Sequence, residues 1–177
     1  ALFFTVGLFT VCTMNFQLYT GRVCYLFEND KNYALQLPLI WLGNLTGTVL
    51  TARLLMLTRI APKLAGSAAL LCETKLSDNL GSSFLLAIFC NLLIFIAVDG
   101  FKHHSHEIGK YLGLFFGVVA FILCGFEHCV ANMYFFTIGG VWSLRTLLYI
   151  LVMTLGNSVG GLVLPLLRRL AGDARQA

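Results

Sequence analysis

The segment Gly125-Phe126-Glu127-His128-Cys129-Val130-Ala131-Asn132 puts a glycine, a carboxylate, an imidazole and an amide into an otherwise apolar stretch. Between residues 111 and 144, Glu127 is the only Asp, Glu, Lys or Arg in the sequence. An ionisable side chain at the centre of a bilayer costs about 2.5–3.5 kcal/mol on insertion scales, so one that is kept there marks a pathway or a bound partner. We therefore predict a membrane helix that is interrupted near Gly125, because irregular backbone is tolerated at that depth only where it lines a cavity.

The composition of the whole chain favours a membrane protein. Only 11% of the residues are charged, against about 25% in soluble domains, and the mean hydropathy is +0.84. This composition excludes a soluble globular enzyme, a disordered chain and a nucleic-acid-binding protein with a basic face. A helical span needs roughly 20 apolar residues, and the apolar runs are too long for the strands of a membrane barrel. We predict five helical spans, near residues 1–20, 35–57, 83–99, 110–138 (interrupted) and 145–167.

A short motif occurs twice, in the second and the fifth predicted spans. Gly43-Asn44-Leu45-Thr46-Gly47 and Gly156-Asn157-Ser158-Val159-Gly160 both read G-N-x-x-G, and each follows a span with polar residues in its interior. Two interpretations stay open: a small-xxx-small packing motif used twice, or an internal repeat. A repeat predicts two three-span halves of opposite orientation with a site at their interface. The counterpart of the third span would then precede residue 1, so we expect a single transmembrane channel domain over residues 1–177 that is truncated at its N-terminus.

Basic residues in the connections predict the orientation. Residues 21–34, residues 99–110 and the C-terminal tail together hold seven Lys and Arg, and the connections of the other side hold four. The positive-inside rule then puts the C-terminus in the cytoplasm.

The sequence predicts no cofactor or metal. Glu127, His128 and Cys129 are adjacent and would point in different directions on a helix, and a haem with two histidine ligands needs a second histidine within a span. A solvated loop explains the remaining histidines better than a metal site does. Those residues are His103, His104 and His106.

Residues 125–133 closely resemble the signature of the formate/nitrite transporter family. Leu18-Tyr19-Thr20-Gly21 resembles the Leu-Phe-Thr-Gly motif that the family has after its broken second helix, although the four residues also fit a helix that ends at a glycine cap. The resemblance runs from residue 1 to about residue 167. Among the branches of this family, the nitrite channels resemble the sequence most. Supporting matches are residues 41–47, 90–93 and 154–157.

The resemblance implies an all-α, aquaporin-like inverted-repeat bundle that assembles as a homopentamer in the lipid bilayer, with five of six expected spans in this chain. It implies a channel or transporter, not an enzyme, for small monovalent weak-acid anions in the bacterial cytoplasmic (inner) membrane. Nitrite is the predicted substrate, with formate and hydrosulfide as alternatives, and a non-transporting membrane anchor subunit is the competing class.

The resemblance also implies site residues. His128 is the expected central pore histidine and faces Thr20. Lys75, in a predicted outer loop, and Asn91 would draw in the anion or pair with the histidine region, although Asn91 alone fits a helix–helix hydrogen bond equally well. The expected hydrophobic constriction consists of Phe4, Leu8, Leu18, Tyr19 and Phe121.

Two mechanisms remain open at this stage. His128 either hands a proton to the anion, so that a neutral acid crosses the apolar rings, or it stays neutral and only donates a hydrogen bond. The chain departs from the family pattern at Asn15 (usually Gly), Gln17 (often an acid) and Cys129 (commonly Ser), which bears on gating and on substrate preference.

Overall fold

The computed structural model describes residues 2–173, with side chains from residue 4 to residue 172. All secondary-structure elements in this part of the chain are helices. A 3-10 segment, Val23–Glu28, connects the second and third α-helices. The α-helices are α1 (Leu2–Thr13), α2 (Tyr19–Arg22), α3 (Lys31–Met56), α4 (Ala61–Ser77), α5 (Leu80–His103), α6 (Glu107–Leu123), α7 (Cys129–Ile138) and α8 (Leu144–Asp173).

Among the described residues, three helices are long and apolar enough to cross a bilayer: Lys31–Met56, Leu80–His103 and Leu144–Gly172. They match the predicted spans near 35–57, 83–99 and 145–167. The predicted interruption near Gly125 is confirmed, because α6 ends at Leu123 and α7 begins at Cys129.

One of two local interpretations does not fit, and one local prediction is wrong. Of the two interpretations of Leu18-Tyr19-Thr20-Gly21, the helix end with a glycine cap does not occur: α2 begins at Tyr19 after a break, and the chain continues through the 3-10 segment to Glu28. The predicted loop that carries Lys75 forms the 17-residue helix α4, with Pro62 in its first turn, where proline is well tolerated. Helix α4 mixes charged and polar residues with apolar ones, so it does not have the composition of a membrane span. For this reason the sequence analysis predicted a loop here.

The two helix breaks have the same backbone geometry, as an internal repeat requires. Asn15 and Gly125 have positive φ values of 55° and 69°. The N–H of Phe16 bonds back to a carbonyl of α1 and that of Phe126 to a carbonyl of α6, both at 3.0 Å. Asparagine is one of the few residues other than glycine that adopt this conformation readily, which explains how Asn15 replaces a glycine here.

The asparagine of the first G-N-x-x-G motif holds the first break in place. Asn44 on α3 accepts a hydrogen bond from the Tyr19 N–H through Oδ1 at 2.8 Å. Its Nδ2 donates to the carbonyl of Gln17 at 2.9 Å. One amide side chain thus pairs two backbone groups on either side of residue 18.

The second motif repeats this arrangement. Asn157 on α8 accepts from the Cys129 N–H at 2.9 Å and donates to the Glu127 carbonyl at 2.9 Å. It also donates to the carbonyl of Ala87 on α5 at 2.8 Å. The motif is therefore the backbone clamp of each half, and the repeat interpretation accounts for it.

Helices α5 and α8 run side by side and parallel. At one end, Tyr149 donates to the carbonyl of Asp78 at 2.6 Å, and at the other end Arg168 Nη2 lies 2.8 Å from Asp99 Oδ2. We call the end of the bundle with the Arg168–Asp99 contact the Arg168 end, and the end with the Tyr149–Asp78 contact the α4 end. Lys102 lines a cavity together with Arg22, so the connections after α2 and α5 also lie at the Arg168 end, as the orientation prediction requires.

The glycines of α8 allow this close approach. A Cβ built on Gly156 would lie 2.5 Å from the carbonyl oxygen of Phe84, and one on Gly160 would meet the backbone of Ile88. Backbone atoms of a packed helix cannot rotate aside, so only glycine fits at these two positions.

We predict that Gly160→Ala separates α5 from α8 and destabilises the protein by about 1–3 kcal/mol, the usual cost of overpacking. The measurement is the melting temperature of the detergent-solubilised protein. Gly113→Ala is the matched control, because no described atom lies within 4 Å of its added Cβ. Equal melting temperatures for the two variants would contradict the close-packing argument.

Candidate functional site

His128 caps the N-terminus of α7 and faces the start of α2. Its Nδ1 accepts a hydrogen bond from the Ala131 N–H at 3.1 Å, and its Nε2 lies 2.9 Å from Thr20 Oγ1. His128 is 5% exposed and Thr20 is fully buried. The structure thus brings together two predicted site residues from the two halves of the chain.

The hydrogen bonds of His128 define its tautomer. A nitrogen that accepts a hydrogen bond carries no proton, so Nδ1 is unprotonated and a neutral ring carries its hydrogen on Nε2. Nε2 then donates to Thr20 Oγ1. If Nδ1 were protonated, its N–H would face the Ala131 N–H, and two donors would point at each other. The added positive charge would also lie at the N-terminus of α7, where the helix dipole is positive. This geometry favours a neutral imidazole that works as a donor.

An apolar cavity of about 420 Å³ lies in front of His128. The Phe121 ring stacks on the imidazole with a centroid distance of 5.8 Å and packs edge-on against Phe4 at 5.9 Å. Five of the predicted site residues line this cavity: Phe4, Leu8, Leu18, Phe121 and His128.

Two further cavities continue towards the Arg168 end. The second, of about 270 Å³, shares Val11 and Leu18 with the first. The third, of about 330 Å³, shares Arg22 and Lys102 with the second. The three cavities therefore lie in a series, with Val11 and Leu18 at the first boundary and Arg22 and Lys102 at the second.

Tyr19 does not line any of these three cavities. Its hydroxyl lies 2.8 Å from Ser158 Oγ on α8, and its ring borders a separate groove beside Trp41 and Thr154. A phenylalanine at this position would lack that bond. The ring of Tyr19 therefore lies outside the predicted constriction and has a polar partner on α8.

Asn91 also lies outside the cavities. It is fully buried, and its Nδ2 donates to the carbonyls of Thr20 at 3.0 Å and Asn157 at 2.7 Å. Of the two interpretations of Asn91, the helix–helix hydrogen bond matches these contacts. Asn91 thus links the backbone of Thr20 to that of Asn157 on α8.

Lys75 reaches from α4 to the base of the site. Its Nζ lies 2.6 Å from Glu127 Oε2, and the side chains are 12% and 4% exposed. Asn132 Nδ2 donates to the same carboxylate oxygen at 2.6 Å. The residue next to His128 is therefore neutralised by a lysine from the neighbouring helix α4, and His128 is not its ion-pair partner.

Sequence analysis did not predict the roles of several residues that hold the helix breaks or line the cavities. Asn44 and Asn157 were noticed only as parts of a repeat, although the repetition of the amide was the signal for a shared role. Arg22, directly after the Leu18–Gly21 motif, and Lys102 were counted for orientation only. No group of three or more His, Cys, Asp or Glu suited to a metal ion occurs within the described residues.

The chain matches the family described as formate/nitrite transporter over residues 1–170, and it belongs to that family. This also confirms that the protein is a multi-pass membrane protein of a transporter family and not an enzyme.

Two curated relatives illustrate the similarity. A probable formate transporter from Methanothermobacter thermautotrophicus is 33% identical over 190 residues, which is 90% of this chain and 69% of the relative. The nitrite transporter NirC of Salmonella typhimurium is 28% identical over 180 residues, or 90% of this chain and 65% of the relative. The chain therefore spans about two thirds of the length of these proteins.

Solved structures support the fold. An FNT family ion channel superposes with a TM-score of 0.77 at 25% identity, covering 91% of this chain and 71% of the other. A pentameric formate channel with formate bound superposes with a TM-score of 0.74 at 22% identity, over 90% and 76% of the two chains. The predicted all-α, aquaporin-like fold is confirmed.

We predict that Lys75→Met destabilises the protein by about 3–5 kcal/mol, because it leaves the Glu127 carboxylate buried without its cation. Adding Glu127→Gln to this variant should restore part of the loss, and the melting temperatures of single and double variants measure it. Lys110→Met is the control, since Lys110 pairs with the exposed Glu107 and such pairs contribute at most about 1 kcal/mol. A double variant as unstable as the sum of both single variants would contradict the pairing.

Proposed function

We propose that the chain works as one transmembrane channel domain that conducts a small monovalent weak-acid anion through a pore in each protomer. The observation that carries the proposal is the buried imidazole of His128, which lies between the two helix breaks and in front of an apolar cavity, with Nε2 at 2.9 Å from Thr20 Oγ1. Formate and nitrite are the first substrates to test, and hydrosulfide is a third.

The polar groups at the site suit an anion. His128 Nε2–H and the N-terminal end of α7 both direct positive partial charge to the same region. Thr20 supplies a hydroxyl that can donate to an oxygen of the anion when His128 turns its own donor to the passing ion. The Glu127 charge, which would repel an anion, is offset by Lys75.

The apolar rings suit a weak acid. A bare anion that passes Phe4 and Phe121 on one side of His128, and Val11 and Leu18 on the other, loses most of its water, and this desolvation is costly in a low-dielectric passage. A weak acid avoids the cost when it crosses these rings in its protonated form. Ions that remain charged at every accessible pH should be excluded.

The two mechanisms for His128 differ in the source of the proton. The hydrogen bond from the Ala131 N–H to Nδ1 supports the version in which the imidazole stays neutral and only donates a hydrogen bond. The proton that neutralises the anion then comes from water. In the other version an imidazolium would have to form where a backbone donor already points at its second nitrogen.

Formate is supported somewhat more than nitrite by the relatives, since the probable formate transporter is 33% identical and NirC is 28% identical. The nitrite branch, favoured by residues 41–45, residues 154–157 and the short tail, stays a prediction.

The outer surface is consistent with an oligomer in lipid. Large apolar side chains of α3 are exposed in the protomer, and one of the solved structures with this fold is a pentamer. We therefore propose a homopentamer in the bacterial cytoplasmic membrane with the Arg168 end in the cytoplasm. The exposed side chains are Leu35, Leu39, Leu42, Leu50 and Leu54.

In proteoliposomes, we expect uptake of formate and nitrite that falls about tenfold or more in His128→Phe, because the variant loses the donor to the anion. Stopped-flow uptake of formate, nitrite and hydrosulfide measures the rates and ranks the substrates. Lys110→Met serves as the control and should keep the rate of the unmodified protein. No uptake of any of the three anions would leave the anchor-subunit alternative.

His128→Asn separates the two mechanisms. Asparagine keeps an acceptor for the Ala131 N–H and a donor towards Thr20, but it does not titrate. If His128 is only a donor, the normalised dependence of uptake on pH, between about pH 5 and pH 8, should superimpose for this variant and the unmodified protein. Loss of an acid-side increase in the variant alone would establish His128 as the proton donor.

A further inference from the structure

Two cations stand together where the second cavity meets the third, at the Arg168 end. Arg22 is the last residue of α2, and Lys102 lies in the last turn of α5. Both line the second cavity of about 270 Å³ and the third of about 330 Å³. An ion in either cavity is therefore next to both cations.

Neither cation forms an ion pair in the part of the chain that the structure describes. The Arg22 guanidinium lies 4.9 Å from the centroid of the Tyr33 ring, and Lys102 Nζ lies 3.9 Å from that of Tyr25. Aromatic faces hold a cation by cation–π attraction without neutralising its charge. The positive charge of both side chains thus stays available to the cavities.

The neighbouring carboxylates do not cancel this charge. Asp99 is engaged by Arg168 at 2.8 Å and by His103 at 3.0 Å. Glu28 lines the third cavity but is exposed and pairs with neither cation within the described residues. Two cations against one solvated carboxylate leave a surplus of positive charge at this mouth.

Two buried donors beside the cations have no partner in the described chain: Arg22 Nε and the hydroxyl of Tyr25. Tyr25 is only 7% exposed and lines the third cavity. Buried polar groups are almost always hydrogen-bonded, and one left without a partner costs free energy. Both donors therefore point to an acceptor that the protein itself does not provide.

We propose that Arg22, Lys102 and Tyr25 bind a small monovalent oxyanion, such as a carboxylate or nitrite, at the Arg168 mouth. Arg22 offers a planar pair of N–H donors that matches two oxygens of one anion, Lys102 contributes a compact charge, and Tyr25 adds a hydroxyl donor. The inference rests on the proposed function, since the ligand is the anion that the pore conducts.

The proposal makes the two ends of the pore unequal. At the α4 end, the charge of Lys75 is bound to Glu127 at 2.6 Å. At the Arg168 end, Arg22 and Lys102 are held by aromatic rings and keep their charge. An anion should therefore half-saturate entry at a lower concentration from the Arg168 end.

The test is formate and nitrite uptake in vesicles of the two orientations, as a function of anion concentration on one side. Arg22→Gln and Lys102→Met should each raise the half-saturating concentration for entry from the Arg168 end by about fivefold. This is the factor expected for one unit charge about 4 Å from the anion in a hydrated site. Because a passive pore has the same permeability from both ends at low concentration, maximal uptake from the Arg168 end should rise by a similar factor. Entry from the α4 end should change little.

Lys110→Met is the matched control, because Lys110 belongs to the same end but pairs with Glu107. Tyr25→Phe removes only the hydroxyl and should raise the same half-saturating concentration with an unchanged melting temperature. If a neutral variant does not assemble, Lys102→Arg keeps the charge and should retain the low value. Arg22→Lys keeps the charge but loses the paired donors, and it should give a value between those of the unmodified protein and Arg22→Gln.

The outcomes separate this inference from the proposed function. Unmodified protein that conducts neither anion would refute the function itself. Conduction with the same half-saturating concentration in Arg22→Gln, Lys102→Met and Tyr25→Phe would keep the function and overturn the site. An equal increase in Lys110→Met would reduce the effect to general surface charge and would also overturn it.

Discussion

A helix that is interrupted inside a bilayer leaves backbone N–H and C=O groups that lipid cannot pair. In this chain one asparagine pairs them at each break: Asn44 reaches across from α3 to the first, and Asn157 reaches from α8 to the second. The interrupted backbone of the pore could not be retained without these amides, and the site is built on that backbone.

The clamps leave one residue of each half at the centre, between the two backbone groups that the asparagine holds. In the first half this residue is Leu18, and in the second half it is His128. The same backbone position thus carries an apolar side chain in one copy and a donor in the other. Two symmetric histidines would offer an anion a deep binding site, whereas Leu18 gives the route an apolar ring next to a single donor.

The buried charges are arranged so that no net charge remains near His128. Glu127 precedes the histidine in sequence, but its carboxylate turns to Lys75 of α4 and to Asn132. The helix α4 lies outside the apolar spans, and its lysine nevertheless reaches a carboxylate that is 4% exposed. Because Lys75 of the neighbouring helix α4 pairs with Glu127, this acidic residue can lie beside His128 without adding a net negative charge that would repel an anion.

Apolar length and the position of ionisable residues are local properties, and for this reason the sequence alone determined three spanning helices within the described residues and the break near Gly125. The role of His128 is a prediction from the same local pattern. The resemblance of residues 125–133 was specific enough to identify the family. The contacts of Lys75, Tyr19 and Asn91 depended on the tertiary structure, because each partner lies far away in sequence and on another helix. Tyr19, for example, lies in a groove beside Trp41 of α3 and Thr154 of α8, and no local pattern around Tyr19 contains that information.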